Sequence, residues 1–92
     1  MGEKAFRCPK CGSRNFYYIK RVEFIQHAEF RNGGVIIDAR LNQNAYPLYI
    51  FEGDPIFCEK CEHELRGEER EKFLDLLACL NEEGRVKLIS TL

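Results

Sequence analysis

The chain has no long apolar run. Nothing in its 92 residues could serve as a signal peptide or cross a membrane as a helix. A myristoylation signal is also missing, because Phe6 stands where that motif requires Ser or Thr. A cytoplasmic protein with reduced thiols is therefore expected, and no membrane partner. There is no low-complexity tract, no linker and no internal repeat beyond two short cysteine motifs. These absences leave one domain, residues 1–92, with a modest core. Strong net charge is lacking too: the formal charge is −1. A protein that binds mainly through phosphates is expected to be strongly basic, so the near-neutral balance weighs against nucleic acid as the main partner. Histidine is scarce. His27 falls in an alternating run with no readable partner, and His63 reads as a surface residue. No catalytic constellation or small-molecule site emerges, and an enzyme is not expected.

Against these absences stand five cysteines, four of them in Cys8-Pro9-Lys10-Cys11 and Cys58-Glu59-Lys60-Cys61. C-x-x-C spacing lets a tight turn aim two sulfurs at one point. Two such turns face to face make a tetrahedral four-sulfur cage, the preferred setting of structural zinc. Gly12 can take the positive φ that turns backbone N–H groups toward the sulfurs. Cys8, Cys11, Cys58 and Cys61 are thus the expected ligands of one structural zinc ion. With four protein ligands no position is open to substrate, so the metal is expected to staple the fold and not to catalyse. Such a site contributes roughly 10–16 kcal/mol of apparent binding free energy to folding. Cys79 reads as a small half-buried thiol on a helix.

Between the knuckles the pattern is that of strands. Phe16, Tyr18, Val22, Phe24, Ala28 and Phe30 share one parity over a run of period two, which predicts a long strand with a bulge or bend near Lys20-Arg21. Asn32-Gly33 predicts a type I′ hairpin turn. Val35–Leu41 is the returning strand, with Val35, Ile37, Ala39 and Leu41 inward, and Asn42–Asn44 is a turn. Tyr46–Phe51 is a third strand, with Pro47 at its start or on an edge. Ala5–Arg7 can pair as an edge strand. Beyond the second knuckle, Phe73, Leu76, Leu77 and Leu80 form one stripe of a helix over residues 67–83. Glu68, Glu69 and Glu71 suit the positive end of its dipole, and Gly84 stops it. Val86–Leu92 can add a last strand. The expected fold is a small α+β domain: an antiparallel sheet between two knuckles (8–11 and 58–61, with a β insert at 16–51), then one amphipathic helix.

Charge is unevenly spread. Residues 1–46 carry a surplus of four positive charges and residues 47–92 a surplus of five negative ones. The basic, aromatic stretch 7–21 supplies candidate nucleic-acid contacts: Lys10, Arg14, Tyr17, Lys20 and Arg21. On an exposed sheet such residues could stack bases and hold phosphates. The simpler reading is that alternate residues of a strand fill the core while the others meet water.

The two knuckles with strands between them resemble a zinc ribbon, over Cys8–Gly12 and Phe57–Glu62. That resemblance implies metal and leaves the role open. Cys8-Pro9-Lys10-Cys11-Gly12 is also similar to the opening motif of rubredoxins. The second pair, however, is followed by Glu62 and not Gly, and the spacing is longer than a rubredoxin's. Phe57-Cys58-Glu59-Lys60-Cys61-Glu62 followed by an acidic amphipathic helix resembles, in architecture, the zinc-bearing N-terminal domain of MqsA (YgiT-type) antitoxins. There the domain binds a protein and a separate helix-turn-helix domain binds DNA. No helix-turn-helix region is present here. The expectations rank as a zinc-stabilised protein-interaction module binding another protein or its own copy, then a nucleic-acid binder, then a rubredoxin-like redox carrier.

Overall fold

The computed structural model describes residues 5–20, 24–38, 50 and 53–89. Among these residues it is an α+β fold with a five-stranded mixed sheet and one helix. The strands are β1 (Asn15–Lys20), β2 (Phe24–Arg31), β3 (Gly34–Asp38), β4 (Ile56–Cys58) and β5 (Val86–Ile89), with helix α1 (Glu68–Glu82) between β4 and β5. Their order across the sheet is β4-β1-β2-β3-β5. The first four form the expected antiparallel ladder. The last strand joins it in parallel, Val35 opposite Val86 and Asp38 opposite Ile89. Among the described residues no helix is long and apolar enough to cross a membrane.

The run from Phe16 to Phe30 is two strands, not one bent strand. β1 and β2 pair Phe16 with Ala28 and Tyr18 with Gln26, always residues of one parity. The alternation therefore continues through the reversal as if the chain had never turned. The next reversal has the expected chemistry: Asn32 and Gly33 both take positive φ, 54° and 74°, as a type I′ turn requires.

Phe16, Tyr18, Ala28, Phe30, Val35, Ile37 and Ile56 are buried on one face. α1 covers that face with Phe73, Leu77 and Leu80, and Leu76 is half-buried beside them. Phe73 meets Phe6, Phe16 and Phe30 edge-on, at centroid distances of 5.7, 5.3 and 5.7 Å. This T-shaped geometry sets positive ring edges against negative faces. Phe6 packs in this cluster, and residues 5–7 form no strand. The core thus takes Phe6 as a plug where an edge strand was expected. The helix ends as Gly84 suggests: Gly84 has φ 71°, Arg85 N donates to Leu80 O at 2.8 Å and Gly84 N to Asn81 O at 3.1 Å, a Schellman closure. Ala39, Leu41, the turn at 42–44 and most of the expected strand Tyr46–Phe51 lie outside the described residues. Ile50 is described and packs against the core.

The parallel join requires a glycine. A Cβ on Gly34 would lie 2.6 Å from the carbonyl oxygen of Arg85, the residue whose oxygen accepts from Val35 N at 3.0 Å. Gly34→Ala must separate β3 from the chain entering β5, at a cost of about 1–3 kcal/mol. Gly53→Ala, where a Cβ meets nothing within 4 Å, is expected to change stability little. Urea unfolding of both variants checks the contrast.

Candidate metal centre

The two knuckles are the same turn built twice. In the first, Cys8 N donates to Ser13 O at 2.8 Å and Gly12 N to Cys8 O at 2.8 Å. In the second, Cys58 N donates to His63 O at 2.9 Å and Glu62 N to Cys58 O at 2.8 Å. The residue after the second cysteine is left-handed in both, Gly12 at φ 78° and Glu62 at φ 62°. Glycine adopts this conformation freely, whereas a residue with a Cβ is strained by about 1–2 kcal/mol. The missing second glycine therefore does not mark a different turn. The same backbone is imposed on a glutamate by the knuckle's hydrogen bonds.

These turns bring the four expected ligands together. Cys8, Cys11, Cys58 and Cys61 place their sulfurs within 4.8 Å of one another. Cys8 Sγ lies 3.6 Å from Cys61 Sγ and Cys11 Sγ 3.5 Å from Cys58 Sγ. These separations are far too long for a disulfide. They are close to the edge of ~3.8 Å expected for a tetrahedron with metal–sulfur bonds near 2.3 Å. The cysteine geometry fits a tetrahedrally held metal ion. Cys8 and Cys58 are buried while Cys11 and Cys61 face solvent, so the cage sits at the edge of the core. Its anchor is the ladder itself: Phe16, just beyond the first knuckle, pairs with ligand Cys58, and Glu59 N donates to Asn15 O at 3.0 Å.

The thiols compete for one negative charge. Burial pushes Cys58 up, but the backbone N–H groups of Cys61 and Lys60 and the thiols of Cys11 and Cys61 outweigh it and bring the group to about 7. At Cys61 the backbone N–H of His63 favours the thiolate. Desolvation and the neighbouring Cys8, Cys11 and Cys58 prevail and push it up to about 12. At Cys11 the Ser13 N–H acts in the same sense, and desolvation with Cys58 again raises the thiol. A thiolate at Cys58 thus goes with raised thiols at Cys11 and Cys61.

Two histidine contacts, invisible in the sequence, tie the second knuckle down. His27 Nδ1 on β2 meets Glu59 Oε1 at 2.5 Å, and His63 Nε2 meets Glu69 Oε1, in the first turn of α1, at 2.8 Å. His63 is half-buried, not simply a surface residue. The first pair is separated by 32 residues, and no spacing rule announces it. Cys79 is half-buried, as expected, and donates to Glu83 Oε2 at 3.5 Å.

The candidate nucleic-acid residues are only partly described. Lys10 is exposed on the first knuckle and Arg14 is half-buried. The side chain of Lys20, and Arg21 altogether, lie outside the described residues. Tyr17 lies on the sheet face opposite the helix, stacked on Phe57 at 5.3 Å and 27°. Its hydroxyl is raised above the ordinary tyrosine value by burial, then by the charges of Glu62 and Glu59. The aromatic at the centre of that candidate set thus has acidic neighbours.

Loading a divalent ion must strip protons from the raised thiols of Cys11 and Cys61. At pH 7 about two or more protons are expected to leave per ion bound. Protons and metal compete, so affinity rises with pH and collapses as pH falls. Calorimetric titration in buffers of different ionisation enthalpy counts the protons directly. A count near zero would mean that the thiols are already ionised without metal.

Comparison with protein-family models, with curated proteins and with solved structures found no match to this chain.

Proposed function

We propose that this chain is a non-enzymatic, zinc-stapled protein-interaction module that works in the cytoplasm, with another protein or a second copy as its partner. One observation carries the reading: the four sulfurs enclose one point from two identical turns. Thiolate ligands in a closed tetrahedron favour zinc, and a full set of protein ligands gives the ion a structural role. Zinc has no redox chemistry, which sets the rubredoxin-like reading aside if zinc is the resident ion. Function then falls to the surfaces that the staple holds. The face of the sheet away from α1 supports a protein partner, because it carries Tyr17, Phe57, Ile19 and Ile25, the last 43% exposed.

A nucleic-acid interface through Lys10, Arg14, Tyr17, Lys20 and Arg21 is the competing reading. The negative charges beside Tyr17 oppose a phosphate backbone there.

Protein purified without added metal is expected to contain one zinc per chain. Chelation is expected to unfold it in parallel with zinc loss, followed by circular dichroism. Full retention of structure after zinc removal would refute the staple. Chemical cross-linking in the native cell is expected to trap a protein partner or a second copy, with no salt-sensitive gel shift on DNA or RNA. A shift that weakens steeply with salt would instead favour the competing reading.

A further inference from the structure

The four-sulfur cage has an inner and an outer half. Cys8 and Cys58 are buried, while Cys11 and Cys61 are exposed, so each knuckle contributes one of each. The close approaches run between knuckles and join the two halves. Buried Cys8 lies 3.6 Å from exposed Cys61, and buried Cys58 lies 3.5 Å from exposed Cys11. Each exposed cysteine thus has a sheltered cysteine of the other knuckle beside it. An accessible thiolate poised next to a second, resolving cysteine is the arrangement of a redox sensor, and here it occurs once in each direction across the site. The ladder helps to hold the two turns side by side, through Phe16 opposite Cys58 and Glu59 N donating to Asn15 O at 3.0 Å. Cys79, on α1, is outside the four-sulfur group.

We infer that the cage is a peroxide-sensitive staple: a hydroperoxide exchanges its ion for two disulfides, Cys8–Cys61 and Cys11–Cys58, which bridge the same two knuckles. This rests on the zinc-staple reading and adds the regulation of that site. A coordinating thiol is deprotonated outright, so each exposed sulfur is a nucleophile. Cys61 Sγ attacks one peroxide oxygen. The O–O bond breaks, a sulfenic acid forms and the other oxygen leaves as hydroxide. Cys8 Sγ then attacks the sulfenic sulfur, the S–S bond forms and a second hydroxide leaves. The sulfur pair gives up two electrons and the peroxide takes up both. Cys11 and Cys58 consume a second peroxide in the same way. The thiolate is the metal ligand, so the ion is released once its thiolates are spent. Each pair must close by about 1.5 Å to reach the bonded distance, a movement the side chain of the exposed member can make without shifting the ladder. The two bonds join residues 53 and 47 positions apart. They therefore restrain the unfolded chain over the same long loop that the ion closes. A disulfide within one knuckle would leave the two turns untied.

The test uses the full chain, with its zinc content measured first. Hydrogen peroxide is added and released zinc is read with a chromogenic chelator. About two equivalents of peroxide are expected to release all of it. Trypsin cuts after Arg7, Lys10, Arg14, Lys60 and Arg66, which places each cage cysteine on its own peptide. Mass spectrometry without reductant is expected to find Cys8 bonded to Cys61 and Cys11 to Cys58, with Cys79 still a thiol. The oxidised, zinc-free chain is expected to keep the circular dichroism that the reduced chain loses on chelation. Dithiothreitol without zinc is expected to abolish it. Bonds within a knuckle, a bond between Cys8 and Cys58, a bond to Cys79, or sulfinic acid in place of disulfides would each overturn the inference. So would zinc retained under excess peroxide, or loss of the folded signal on oxidation. A chain that holds no zinc, or that stays folded when reduced and chelated, would overturn the staple reading as well. Zinc-loaded, chelator-sensitive protein with the wrong bonds would overturn this inference alone.

Discussion

Everything in this fold depends on closing two distant turns onto one point. Forty-six residues separate Cys11 from Cys58, and joining the ends of such a loop costs chain entropy. A metal bound by four thiolates can offset that cost, which a core of this size cannot do comfortably. The sheet ladder reinforces the same closure. β1 begins just beyond the first knuckle, and its Phe16 pairs with Cys58 of the second. Metal site and sheet are therefore one constraint. The raised thiols of Cys11 and Cys61 beside the lowered Cys58 show how closely the two turns set their sulfurs.

The sheet divides the described residues into a buried side and a presented one. Phe6, Phe16, Phe30 and Phe73 interlock edge-to-face under the helix, and Leu65, Leu77 and Leu80 complete the packing. The opposite face keeps aromatic, isoleucine and acidic side chains in contact with solvent. Antiparallel sheets often leave one face wet; on this one Ile25 is exposed, and Tyr17, Phe57 and Ile19 are half-buried.

Legibility varied from element to element for physical reasons. The helix and its Gly84 stop were plain, because a 3.6-residue stripe and a left-handed cap are local properties. So was the Asn32–Gly33 turn. The β1–β2 hairpin was not, because a register that pairs like parities leaves no break in the alternation, and Lys20–Glu23 carries no glycine or asparagine to signal a turn. Glu62 was read as a departure from the glycine of the first knuckle, yet it adopts the same left-handed conformation. Residue preference expresses a cost of order 1 kcal/mol, and a hydrogen-bonded knuckle can override it.

By itself, the sequence determined the two cysteine pairs and the local elements. C-x-x-C spacing and hydrophobic period depend only on neighbours along the chain. Tertiary structure alone decided which strands adjoin, and so that β5 enters in parallel beside β3, with Gly34 beneath Arg85. It also joined His27 to Glu59 and gathered Glu29, Asp38 and Glu59 around one depression. Those meetings depend on register and strand order, which bring together residues far apart in sequence and leave no mark on any short stretch of it.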